Sequence, residues 1–209
     1  SPSSGILGGV ARKTRETMLI CEAAGYDVVI VETVGVGQSE TMVDSMVDLF
    51  LLLMLPNAGD ELQGLKKGLL ELADLVVVNK SDGKQESLAK TAQSEYSKAL
   101  HLLPSSKNSW TPQILRCSAL EKRGMDKIWE AAKSFRETLR NSGEWEKQRR
   151  KQTGKWMWSL VEEGLLLKFR NHPNLQKQIS ELEKAVESGN MLPTTAATKL
   201  LDSWQTHSK

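Results

Sequence analysis

Cysteine is almost missing from this chain. Cys21 and Cys117 stand far apart with no CxxC or Cys/His spacing, so neither a disulfide framework nor a zinc site is expected, and a reducing compartment fits. Histidine is as scarce: His101, His172 and His207 show no metal-ligand spacing and no Ser or Cys nucleophile to serve, and a DxHxxG cobalamin-ligating motif is absent. No sign of charge dominates, with 28 Lys+Arg against 26 Asp+Glu, which argues neither for nor against nucleic acid. Long apolar runs are lacking too. The longest, residues 49–55, is far too short for a bilayer, and Asp44 and Asp48 interrupt the pattern before it. Repeats, low-complexity tracts, an initiating Met and a recognisable leader are all missing, and the start at Ser1-Pro2-Ser3 predicts a piece of something longer. A P-loop is missing as well: Gly5 to Thr14 nearly spells one, but GxxxxGK[ST] needs glycine where Leu7 and Arg12 stand. That stretch reads instead as a glycine-rich loop entering a helix at about Thr14 and ended by Gly25.

What is present is enough apolar residue, 39% of 209, to bury a real core in one domain with a smaller appendage. Residues 28–32 are four β-branched residues ending in Glu32, followed by Gly35 and Gly37. They read as a buried parallel strand delivering a glycine turn to a sheet edge, where a backbone can approach a ligand and an acid can hold a cation. Helix is expected over residues 39–48 and strand over 49–55. A loop with Asp60 and Glu61 between Pro56 and Gly64 comes next, either capping the following helix or forming a mobile functional loop. Leu62, Leu65, Leu69 and Ala73 continue at helical spacing.

The second strand is more specific. Residues 75–78 are apolar and run into Asn79-Lys80-Ser81-Asp82. An Asp in Asn-Lys-x-Asp can pair its two oxygens with N1–H and the exocyclic amine of guanine, a donor pair that adenine lacks, while the Lys stem lies along the base. The bland alternative is a polar turn closing a strand. A helix over residues 85–102 follows, with Leu88, Ala92, Tyr96 and Ala99 on one face. A short strand over residues 113–117 runs into Ser118-Ala119-Leu120, whose small residues would let backbone N–H groups reach a base carbonyl. Ile128, Ala132, Phe135 and Leu139 then give a closing helix its apolar stripe.

From Asn141-Ser-Gly143 onward only helices are expected, which places a domain boundary there: residues 1–140 and residues 141–209. Trp156, Leu160, Gly164 and Leu167 line one helix, Leu175, Ile179, Leu182 and Val186 the next, and Leu200 and Trp204 a third. Three such helices hold too little core to stand alone and should pack on the first domain or a second subunit. Lys147, Arg149, Arg150 and Lys151 beside tryptophans could suggest nucleic acid. A solvated helix face is the preferred reading.

In Gly8-Gly9-Val, Glu32-Thr-Val-Gly-Val-Gly-Gln-Ser-Glu40, Gly59-Asp-Glu-Leu-Gln-Gly64, Asn79-Lys-Ser-Asp82 and Trp156-Met-Trp158, the chain resembles the MeaB/ArgK-like P-loop GTPases of the SIMIBI class, the family of the methylmalonic aciduria type A proteins. The resemblance runs over nearly the whole chain. It implies an α/β, mostly parallel sheet with helices on both faces, incomplete at its N-terminus, followed by a helical dimerisation arm. By the same resemblance Glu32 matches the acid that helps hold Mg²⁺, possibly through water, and Gly35 the glycine that senses the γ-phosphate. Asn79, Lys80 and Asp82 match the guanine reader, and Ser118, Ala119 and Leu120 the second base loop. Asp60, Glu61, Gln63 and Lys66 match a switch loop that relays nucleotide state to a partner. Gln38 falls in the neighbouring switch and is not assigned as the water-positioning residue.

The implied function is a GTP-binding and GTP-hydrolysing chaperone for adenosylcobalamin-dependent methylmalonyl-CoA mutase. It gates cofactor loading and protects or reactivates the mutase. GTP/GDP and Mg²⁺ are the expected ligands, with adenosylcobalamin involved only through the mutase. A homodimer is implied, with no nucleic-acid or membrane partner. The location would be the mitochondrial matrix for an animal protein and the cytoplasm for a bacterial one. Without a P-loop, this chain alone is expected to hydrolyse GTP poorly or not at all. The alternative is a truncated, non-catalytic interaction module binding the mutase or a second subunit.

Overall fold

Three of the apolar runs become strands of one sheet in a computed structural model, which describes residues 7–33, 39–56, 65–101 and 109–207. β1 (Leu51–Met54), β2 (Leu75–Val78) and β3 (Gln113–Arg116) lie in the order β1-β2-β3, and both pairings are parallel. The register sets Leu51 beside Leu75 and Leu75 beside Gln113. Parallel neighbours cannot be joined by a hairpin, so each connection carries a helix. α3 (Leu65–Leu72) lies between β1 and β2, α4 (Glu86–His101) between β2 and β3, and α5 (Met125–Asn141) follows β3.

All four β2 residues are fully buried, because side chains alternate between two covered faces. Val76 and Val78 pack with Leu70 of α3 and with Ala89 and Ala92 of α4, whereas Leu75 and Val77 meet Cys117 and Ala131. Beyond them Trp110 stacks edge-on against Phe135 at 5.2 Å, with Leu139 alongside. At the base of the sheet, buried Asp74 accepts the Phe50 N–H at 2.9 Å, and its carbonyl accepts the Trp110 indole N–H at 2.9 Å.

The strand expected at residues 28–32 is not formed. Residues 28–33 have no strand partner among the described residues, and Ile30 is 87% exposed. A β-branched run states what a segment could bury. A strand also needs neighbours for its N–H and C=O groups. The first helix also differs from expectation: α1 (Leu7–Ala23) includes Gly8 and Gly9 rather than starting at Thr14. Glycine costs a helix only about 1 kcal/mol each relative to alanine, too little to stop this one. Its end was legible. Gly25 (φ +89°) closes a Schellman turn, with Tyr26 N–H on the Cys21 carbonyl (3.1 Å) and Gly25 N–H on that of Glu22 (3.0 Å). α2 (Ser39–Asp44) stops earlier than residue 48. On α4 the expected face holds at Ala92, Tyr96 and Ala99, which lie against the core, but Leu88 is 46% exposed and Ala89 is buried in its place.

The chain divides into two compact units, Ser1–Thr153 and Gly154–Lys209. α6 (Glu144–Arg170) begins after a turn at Gly143 (φ +72°). Within the first unit it is fastened by polar side chains. Arg149 donates from Nε and Nη2 to the two Asp48 carboxylate oxygens and from Nη2 to Glu22 at 2.9 Å, and Gln152 donates to the Val47 carbonyl at 2.8 Å. These carboxylates raise the Arg149 pKa, led by the hydrogen bond to Asp48. In the second unit α7 (Pro173–Glu187) and α8 (Pro193–His207) pack through Leu175, Leu182 and Ala196. Trp204 meets both Phe169 (5.6 Å) and His172 (5.4 Å). No described helix is long and apolar enough to cross a membrane.

Candidate functional site

Two loops leave the same end of the sheet, one after β2 and one after β3, and they are bonded to each other. Parallel strands side by side make this unavoidable, since their carboxyl ends share a rim. Asn79 still belongs to the ladder, its N–H donating to the Met54 carbonyl at 2.9 Å. Its side-chain oxygen then gathers three donors: the Lys80 N–H (2.7 Å), the Ala119 N–H (3.1 Å) and the Cys117 thiol (3.4 Å). Burial pushes the Cys117 thiol pKa up, which keeps its proton available for that bond. Lys80 takes a left-handed conformation (φ +57°), unusual for a residue with a side chain. The turn leaves Lys80 exposed and lets the Ser81 N–H reach the Cys117 carbonyl at 2.9 Å.

Asp82 comes next, half-buried, with its carbonyl starting a 3₁₀ turn over Gly83–Gln85. The fully buried Ser118 donates its hydroxyl to Asp82 Oδ2, and the same hydroxyl accepts the Glu121 N–H at 3.0 Å. Ser118 and Arg123 exchange two backbone bonds of 3.0 and 3.1 Å, closing the second loop. Gly124 makes that closure possible. Its φ is +79°, and a Cβ there would lie 2.6 Å from the Arg116 carbonyl oxygen. Arg123 reaches across to the Ser81 carbonyl (2.6 Å) between Glu121 (3.4 Å) and Glu86 (3.9 Å).

Asn79, Asp82, Ser118 and Ala119 are thus brought together, with Lys80 and Leu120 exposed beside them, Leu120 at 85%. Chemically, the arrangement offers a carboxylate steadied on one oxygen and open to a planar edge with two N–H donors. Within the protein the Ser118 N–H donates to the Arg123 carbonyl and the Ala119 N–H to Asn79 Oδ1.

Glu32 is not drawn into this site. It is exposed on residues 28–33, which have no strand partner among the described residues. Among the described residues no group of three His, Cys, Asp or Glu could hold a metal ion. Gly35, Gln38, Asp60, Glu61 and Gln63 lie outside the described residues, and of Lys66 only the helical backbone in α3 is described. Sequence reasoning missed Arg123, Gly124 and the Cys117 thiol. The Arg-Gly pair ending the turn after Ser118 was the available signal. A cavity of about 390 Å³ lined by Lys90, Gln93, Ser97 and Thr111 lies against α4 and the start of β3, and none of the base-loop residues lines it.

Comparison with known proteins shows the family. A family model described as Methylmalonyl Co-A mutase-associated GTPase MeaB matches residues 1–174. A putative GTPase of Caulobacter vibrioides is 49% identical over 201 residues, covering 96% of this chain and 61% of the relative. The GTPase ArgK of Escherichia coli is 46% identical over 205 residues (98% and 62%). The mitochondrial methylmalonic aciduria type A homolog of Mus musculus is 45% identical over 205 residues (98% and 49%). The crystal structure of LAO/AO transport system kinase superposes with a TM-score of 0.77 at 43% identity, covering 94% of this chain and 63% of that one. The chain therefore spans about half to three-fifths of the length of these relatives. On the family match and these identities, it belongs to the MeaB family of methylmalonyl-CoA mutase-associated GTPases.

Proposed function

We propose that this chain is the guanine-reading and effector half of a GTP-hydrolysing chaperone for adenosylcobalamin-dependent methylmalonyl-CoA mutase. The observation that carries the reading is the junction of Asp82 with Ser118 and of Asn79 with Ala119 at one sheet rim. Asp82 accepts N1–H and the exocyclic amine of guanine; adenine, with an acceptor at N1, is turned away. Lys80 covers one face of the base with its stem.

Hydrolysis itself is attack of water on the γ-phosphorus, giving GDP and phosphate. It depends on positioning by a phosphate loop. GxxxxGK[ST] does not occur here, so in our reading that loop belongs to the remaining length of the whole protein, and this chain alone is inactive. Glu32 and Gly35 are assigned to the phosphate end, and Mg²⁺ would supply charge stabilisation there when bound. Asp60, Glu61, Gln63 and Lys66 form the loop through which nucleotide state reaches the mutase and gates cobalamin loading or protects the enzyme. Residues 1–140 act as the nucleotide domain and residues 141–209 as the dimerisation arm, acting in the mitochondrial matrix of an animal cell or the cytoplasm of a bacterial one.

A second reading, a non-catalytic module that holds the mutase or a second copy, draws support from α6, where Met157, Trp158, Val161 and Leu165 are all more than 40% exposed. Turnover separates the two. The complete protein is expected to hydrolyse GTP and to change its rate when methylmalonyl-CoA mutase is added. No hydrolysis by the complete protein, with the mutase still captured, would favour the module.

A further inference from the structure

We propose that Arg123 is a positioning residue for base recognition, locking the two base loops together so that Asp82 presents its carboxylate at a fixed angle. The inference rests on the guanine reading above. The loops are distant in sequence, with α4 and β3 between them, and nothing covalent holds their spacing. Ser81, the residue just before Asp82, is gripped on both sides of its backbone: its N–H donates to the Cys117 carbonyl (2.9 Å) and its C=O accepts from Arg123 Nη2 (2.6 Å). That C=O belongs to the peptide plane carrying the Asp82 N–H, so fixing it fixes where the Asp82 Cα stands and the axis about which its side chain swings.

Arg123 is itself held. Its backbone pairs with Ser118 at both N–H and C=O, and its guanidinium lies between Glu121 and Glu86. Its ladder partner Ser118 is the residue whose hydroxyl holds Asp82 Oδ2. Asp82 is therefore set from two directions, at its carboxylate by Ser118 and at its preceding carbonyl by Arg123, and these two residues are bonded to each other. The Arg123 side chain is 53% exposed, so its contribution is a cross-link and not core packing. Lysine would keep the charge and lose the planar fork that lets one side chain serve a carbonyl and two carboxylates.

The test uses the complete protein with R123A, R123K and D82A. Equilibrium affinities for GTP and for ITP, which lacks the exocyclic amine, are measured beside the thermal midpoint. R123A is expected to reduce the GTP-to-ITP affinity ratio by about five-fold, the scale of one charge-assisted hydrogen bond weakened by solvent, and R123K to recover part of it. Equal weakening of both nucleotides, with the ratio intact, would mean a merely structural role and overturn the proposal; so would an unchanged GTP affinity. D82A separates the two levels. If D82A binds GTP like the parent, base reading itself has failed and Arg123 falls with it. If D82A loses GTP while R123A keeps the parent ratio, only the Arg123 proposal fails.

Discussion

Gly124 and Asp82 mark the two extremes of what single residues disclosed. Asp82 was legible because Asn-Lys-x-Asp after an apolar run is chemically specific, and the structure seats its carboxylate on Ser118. Gly124 was one glycine among 15. Only the structure reveals that the Arg116 carbonyl stands where its Cβ would go, at 2.6 Å, under a φ of +79°. G124A is accordingly expected to destabilise the protein by about 2–3 kcal/mol, through left-handed strain together with a backbone clash that no rotamer can relieve. A lowered denaturant midpoint at constant slope would show it; a change below about 0.5 kcal/mol would mean the loop relaxes freely. Arg123 was illegible for another reason. A cation in a Glu-Lys-Arg run reads as solvated surface, and its bond to the Ser81 carbonyl joins residues 42 apart in sequence.

Among the elements, those that bury residues on both sides were the most readable. β2 was expected from four apolar residues and has all four fully buried. The stripe of α5 was expected at Ile128, Ala132, Phe135 and Leu139; Phe135 and Leu139 are fully buried, Ile128 is half-buried, and Ala131 is buried where Ala132 was expected. Phe135 fills the space under Trp110. F135A should therefore cost about 3–5 kcal/mol, combining lost apolar burial with the residual cavity. Thermal or chemical unfolding of the complete protein measures it, and a loss under about 1 kcal/mol would show that this face is not packed as described. The run at residues 28–32 has as strong a pattern as β2 and forms no strand among the described residues. Pairing partners, not hydrophobicity, made the difference. Leu53 (61% exposed) and Leu55 (47%) at the end of β1 are exposed likewise. On α4 the face was read correctly at Ala92, Tyr96 and Ala99 and missed only at its first residue: Ala89 is buried and Leu88 is not, because a small residue lets the helix sit close to the sheet.

At the scale of the whole molecule, the α/β class and the helix-only C-terminal region followed from the order of strand and helix patterns. What covers the apolar faces left outside did not, since one chain's sequence cannot state its neighbours. If residues 141–209 serve as a dimerisation arm, Trp158, 61% exposed, belongs in that interface. W158E is then expected to convert a dimer of the complete protein to monomer in light scattering, since a buried unpaired carboxylate is costly. An unchanged mass would exclude this face.

The guanine reading is tested most directly by nucleotide titration of the complete protein, parent and D82N, with GTP, ATP and XTP. The account predicts that the parent prefers GTP over ATP by at least about 100-fold, because ATP leaves the aspartate without its donor pair. D82N should lose GTP and gain XTP, whose C2 carbonyl accepts from the new amide. Equal affinity of the parent for GTP and ATP, or a D82N protein that binds GTP as the parent does, would contradict it.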